Sequence, residues 1–406
     1  MSDARSESDQ RRPWLALGLT LTTQTLAAVS QGVPTVLAPV VAPQLGLAPE
    51  RIGVFVGLLY VLAMFSGLAG GGYVRRYGAL RFCQLTLLLG AAGLALLPGA
   101  IIPMLLLGAV GIGMAYGLAN PSAADMLGRH APPAARGLIF SIKQTGVPLG
   151  VALAGLIAPW LYLRVGWQAT AWIVAASFVL IALAMQPARA VFDRDLDRSI
   201  RLGGLSVVAP LRMVFANPGL RRLAWTSLVY AVTQICLLTF LVAYLKLEHG
   251  FSLTTAAAVL ASAQLASIVG RPFWGHVADR YLDPATLLGA LGLIMGVTSG
   301  ALALLPASPS LIWVYAVSLC CAATAIAWNG VFYAELVRVA PRDQLATITG
   351  GTQFMTFLGG VIGPIAFAQL VSVFGSYSLA YTVLAVLPML AGGNVLWAQR
   401  RFSQPA

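Results

Sequence analysis

Two basic side chains sit inside long apolar runs. Lys143 lies in GLIFSIKQTGVPLG and Arg271 in LASIVGRPFWG. If each run crosses a bilayer as a helix, a rise of about 1.5 Å per residue buries Lys143 about 10 Å deep and Arg271 about 12 Å deep. A charge at such depth is costly. It faces a water-filled path or a partner, unless its long stem reaches back to the interface. The chemistry these two offer is anion binding, with an ammonium as a point charge and a guanidinium fork that can hold two carboxylate oxygens at once. Ser141, Gln144 and Thr145 add hydrogen-bonding groups beside Lys143.

The acids do not balance these cations. Of 13 Asp and Glu, only Asp125 and Glu335 fall in helical segments, near their ends and close to Arg129 and Arg338. They are either partners of those arginines or proton-linked gate residues. Carriers of cationic drugs, and many proton symporters, need a buried acid, whereas here an anionic substrate would supply the missing charge. His130, His249 and His276 lie in or near loops and form no ligand cluster. Cys83, Cys236, Cys320 and Cys321 lie in apolar runs without CxxC or metal-ligand spacing and read as reduced small hydrophobes. The expectation is no metal, no cofactor and no catalytic residue. A membrane-bound transferase, the alternative from the enzyme class, would need DDxxD or HxxxxD spacing, and neither occurs.

The elements that must carry these residues follow from composition. Among 406 residues, 59% are hydrophobic and 9% charged, and mean hydropathy is +0.84. A soluble domain has about a quarter charged residues, so a water-facing surface is excluded and a bilayer is required. Apolar segments of spanning length run at 14–40, 51–74, 80–98, 101–127, 137–163, 167–188, 219–245, 252–277, 284–305, 310–337, 343–374 and 377–399. Twelve spans put both termini on one side. The net charge of +12 sorts with them: 20 of 25 basic residues fall on the side of the termini and three on the other, with Lys143 and Arg271 inside. That bias makes the termini cytoplasmic and replaces any nucleic-acid reading. The polar start MSDARSESDQRRP, with its acids, reads as neither a signal nor a transit peptide. The expected organisation is a tail at 1–13, a six-helix bundle at 14–188, a cytoplasmic loop at 189–218, a second bundle at 219–401 and a tail at 402–406. Within the loop, LSVVAPLRMVF could lie along the membrane surface.

The halves repeat. GGYVRRYG, with Gly71, Arg75 and Arg76, matches GHVADRYL, with Gly275, Asp279 and Arg280, at an offset of 204; KQTGVPLG matches TQFMTFLG at an offset of 209. Parallel six-helix repeats are a transporter architecture. On these residues the chain resembles the major facilitator superfamily, whose signature is a G-x-x-x-D-R-x-G turn between the second and third spans, echoed between the eighth and ninth. The first copy departs from it, with Arg75 where the acid is expected. The resemblance implies an all-α integral membrane protein with twelve helices in two pseudo-symmetric bundles, working by alternating access in the inner (plasma) membrane. It also implies gating roles for Gly71, Arg76, Gly275, Asp279, Arg280 and Arg136, with Asp279 as the main cytoplasmic latch.

Locally, GRPFWG is similar to the eighth-helix segment of monocarboxylate transporters, where the arginine binds the substrate carboxylate. The KQTGVPLG segment resembles cyanate-permease-like members. The resemblance would bring Arg271 and Lys143 toward one cavity. Helices one, four, seven and ten line that cavity in the superfamily, so Gln24, Gln31, Asn120, Tyr230, Gln234, Asn329 and Tyr333, with Gln144 and Gln264, are further candidates. Pro34, Pro148 and Pro364 are candidate kinks. The expected function is secondary transport of a small organic anion, a monocarboxylate or aromatic acid, with a proton as candidate coupling ion. The expected surroundings are lipid and the expected state a monomer; the alternative is a broad-specificity drug or metabolite exporter.

Overall fold

The computed structural model describes residues 2–132, 136–194, 196, 198–199, 208–341 and 345–402. Among them the regular structure is helical: α1 Ser2–Gln44, α2 Ile52–Tyr77, α3 Ala79–Leu96, α4 Ile102–His130, α5 Arg136–Gln144, α6 Gly146–Ala184, α7 Arg189–Phe192, α8 Val208–Ala216, α9 Pro218–Leu247, α10 Leu253–Arg280, α11 Pro284–Ala303, α12 Leu311–Ala325, α13 Asn329–Val339, α14 Leu345–Phe374 and α15 Tyr377–Phe402. Eleven stretches of the described residues are long and apolar enough to cross a membrane. One of them, Ile142–Phe192, has 51 residues, far more than the roughly 20 a bilayer needs. It breaks at Gly166, with φ 78° and ψ 170°, a backbone conformation that glycine adopts without strain. Counted as two spans, it brings the total to the twelve expected.

Two spans are interrupted. In the fifth, α5 stops at Gln144, Thr145 N–H turns back to the Ile142 carbonyl at 3.1 Å, and α6 starts at Gly146. Pro148 explains the position: it has no N–H for the carbonyl of residue 144, and its ring crowds that carbonyl. The sequence puts the kink at Pro148, and the structure places the interruption one turn earlier. In the tenth span α12 ends at Ala325 and α13 begins at Asn329, with no proline to announce it. By contrast α1 and α14 continue through Pro34 and Pro364.

The chain forms two compact units, residues 1–34 with 61–205 and residues 35–60 with 206–406. In the first, α3 packs on α4 and α6. Glycines set that spacing: a methyl at Gly93 would come within 2.8 Å of the Gly108 carbonyl oxygen. In the second, α9 packs on α14 and α11 on α15. Tyr230 and Tyr244 donate to the Leu288 and Leu302 carbonyls, each at 2.7 Å. Equal sequence separation of the two pairs means that α9 and α11 run in the same direction. Side-chain caps start four of this unit's helices, from Asn217, Ser252, Asp283 and Ser310, each satisfying N–H groups that have no partner in the helix.

The repeat is visible as contact geometry. On α6 a methyl at Gly150 would overlap the Thr25 carbonyl of α1 and meet Ala28; on α14 one at Gly359 would overlap the Leu228 carbonyl of α9 and meet Ala231. Residues 35–60, expected with the first bundle, group with the second unit. The reason is close packing on α14, where Gly53 faces Pro364 and Ala368, Gly57 faces Ile365, and Gly360 faces the Tyr60 ring.

Candidate functional site

Lys143 occupies the last turn of α5, just before the interruption. It is 2% exposed, so its ammonium does not reach back to an interface. Nζ donates to Asn120 Oδ1 of α4 at 2.6 Å, to Gln24 Oε1 of α1 at 2.7 Å and to Gln144 Oε1 at 3.4 Å. As an ammonium, the group would place its three protons on three amide oxygens. Its hydrogen bonding would then be complete, but every partner among the described residues is neutral and leaves the charge uncompensated. Gln24 closes the inner side at 1% exposure, while Asn120 and Gln144 are exposed and form the accessible rim. Gly146 lets α6 approach closely enough for a methyl there to lie 3.1 Å from the Gln24 Cβ.

The described acids of this unit are engaged elsewhere. Asp125 pairs with Arg129 one turn on. Asp193, past the sixth span, accepts from the N–H groups of Leu80 at 2.9 Å and Arg81 at 3.0 Å, capping α3. The expectation of a cytoplasmic loop at 189–218 does not include this cap. Gly78, at φ 113°, starts α3 without a capping side chain of its own.

In the second unit Arg271 is half-buried, and its Nη2 donates at 3.5 Å to the Ile326 carbonyl, at the interruption of the tenth span. Asn329 Nδ2 reaches the same carbonyl at 3.4 Å and Gln234 Oε1 at 3.5 Å. Trp328 Nε1 donates to Gln234 Oε1 at 3.0 Å. Arg271, Asn329 and Gln234 thus gather where the helix has opened. Tyr333 donates to Gln353 Oε1 at 2.7 Å, and Glu335 receives two bonds from Arg338, each 2.7 Å. Tyr230 corrects the expectation of a cavity residue: it is fully buried and spends its hydroxyl on α11. Gln264 is buried, and its Nε2 has no partner among the described residues.

Of the gating candidates, Gly71, Arg136 and Asp279 lie outside the residues whose side chains are described. Arg76 stacks over the Tyr77 ring at 5.7 Å, and Arg280 is exposed at the end of α10. Gly275 has open space where a Cβ would stand, so it is not a close-packing glycine among the described residues.

The repeat is broken at one chemically decisive position. Asn120 and Gln144 recur as Asn329 and Gln353, but Lys143 recurs as Thr352, whose hydroxyl donates to the Thr349 carbonyl at 3.0 Å. Only one copy of the repeat carries a cation there.

The family model described as Major Facilitator Superfamily matches residues 20–364. The 3-(3-hydroxy-phenyl)propionate transporter of Escherichia coli (strain K12) is 27% identical over 75% of this chain and 74% of its own length. The hexuronate transporter of Bacillus subtilis (strain 168) is 22% identical over 91% of this chain and 90% of its own. Among solved structures, a bacterial homologue of the human lysosomal transporter Spinster, in an inward-facing and unoccupied conformation, superposes with a TM-score of 0.80 at 18% identity, covering 97% of this chain and 99% of that one.

Proposed function

The chain belongs to the major facilitator superfamily, and from that membership we propose that this multi-pass transporter moves a small organic anion by alternating access. The single observation that carries the reading is Lys143, an ammonium buried among amide oxygens with no carboxylate partner among the described residues. A substrate carboxylate arriving at the Asn120–Gln144 rim supplies the opposite charge. Arg271, at the open turn of the tenth span, is the cationic candidate of the second unit, with Asn329 and Gln234 as its polar neighbours. The names of the two relatives support the same class, since hydroxyphenylpropionate and hexuronate are both carboxylates. The proposed setting is the inner membrane with both termini cytoplasmic, and Asp279 as a gating residue.

Uptake of labelled 3-(3-hydroxyphenyl)propionate and glucuronate into proteoliposomes tests the reading. Wild type is expected to take up at least one of them, and Lys143→Gln and Arg271→Gln each to lose that uptake at least about tenfold, the scale of one charge-assisted hydrogen bond. A cationic drug is expected to be neither transported nor stabilising in thermal unfolding. Wild-type uptake by Arg271→Gln would remove it from the site; stabilisation by cations alone would favour the drug-exporter alternative.

A further inference from the structure

When the anion leaves, an ammonium at Lys143 remains without an opposite charge beside it. The described residues around it hold none. α1 offers Gln24, α4 offers Asn120, its own helix offers Gln144, and α3 brings the Cys83 thiol into electrostatic range. The acids of this unit that are described serve Arg129 and the start of α3. Returning an uncompensated charge through a low-dielectric path is costly. Resting on the anion reading above, we infer that Lys143 is itself the coupling group: it holds one proton while the carboxylate is bound and returns as the neutral amine.

The amide cage suits that task where a carboxylate would not. A carboxylate beside Lys143 would hold it as the ammonium throughout the cycle. An amide has an acceptor end and a donor end, exchanged by a half-turn about its last side-chain bond. With all three oxygens inward, the cage accepts three protons from the ammonium. With one amide turned, its N–H meets the lone pair of the amine while two oxygens still accept the remaining protons. Asn120, which is exposed, is the amide assigned to make that turn. Both protonation states are therefore fully hydrogen-bonded in one cage. The step is a simple dissociation: Lys143 ammonium gives Lys143 amine and a proton to water on the side of release, and no bond to the substrate forms or breaks. One proton accompanies each carboxylate. The second repeat has Thr352 in the matching place, so a single group does the coupling.

The sequence makes a direct test practical, because Lys143 and Lys246 are the only lysines. Lys246→Arg leaves one lysine, isotopically labelled at Nζ and read by NMR at a mildly alkaline pH. The amine signal is expected without ligand and the ammonium signal with saturating 3-phenylpropionate; an ammonium signal in both states overturns the inference. A transport assay supplies the second arm. In wild-type liposomes an inward proton gradient is expected to drive net 3-phenylpropionate uptake, while exchange of internal for external anion proceeds without it. Asn120→Asp, which fixes a carboxylate on the cage, is expected to reduce net uptake at least tenfold more than exchange, and equal losses overturn the inference. Wild type that binds and exchanges no carboxylate overturns the anion reading instead. Normal exchange with a permanent ammonium overturns the proton step alone.

Discussion

Some buried polar groups in this chain finish a neighbour's hydrogen bonding. Asp193 is an example far from the cation site. Its side chain is 3% exposed, 3.9 Å from Arg189, and it satisfies two N–H groups at the start of α3. Asp193→Ala is expected to cost about 1 kcal/mol in detergent unfolding, and Asp193→Asn much less, because asparagine caps nearly as well. Equal loss in both would show that the charge, rather than the cap, matters. Lys143 was legible in the sequence from depth alone, since a cation that far into an apolar run demands a reason. Its partners were not all legible as such. Gln24 and Asn120 are separated from it by 119 and 23 residues, and only the packing of α1, α4 and α5 shows that they converge. Tyr230 misled for the same reason: a tyrosine on a cavity-lining helix and one tied to α11 have the same sequence signature.

At the level of elements, the interruption in the fifth span was half-readable. Proline fixes where hydrogen bonding must fail, but failure falls at the carbonyl four residues earlier, which is how Lys143 and Gln144 come to end a helix. The tenth-span opening had no such marker, and side chains of Arg271 and Asn329 take the carbonyl the helix gives up. Glycine packing is where the two halves agree best. Because Gly150 and Gly359 make the equivalent approach to α1 and α9, Gly150→Val and Gly359→Val are each expected to destabilise their own unit. Overpacking of a close contact costs roughly 1–3 kcal/mol. Proteolysis of each variant, read separately for fragments of the two units, checks this. A large effect at one glycine with none at the other would deny the structural equivalence.

For the molecule as a whole, composition and charge distribution specified twelve spans, and the spacing of matched motifs specified a repeat. What they did not give is the grouping of residues 35–60 with the second unit. That grouping depends on Gly53 and Gly57 meeting a particular face of α14, a tertiary choice that hydropathy cannot encode. The asymmetry between Lys143 and Thr352 has a further consequence, for membrane voltage. Moving one elementary charge through a potential of about 100 mV is worth about 2.3 kcal/mol, so a carrier that returned with Lys143 charged would be braked or driven by that potential. If the proton leaves with the anion, the Lys143 site carries the same net charge in both directions. Uptake driven by a proton gradient is then expected to be indifferent to a potassium-diffusion potential of either sign, as measured in liposomes. On that reading, an electrically silent cycle would follow from three neutral side chains standing where a single carboxylate would have tied the carrier to the voltage.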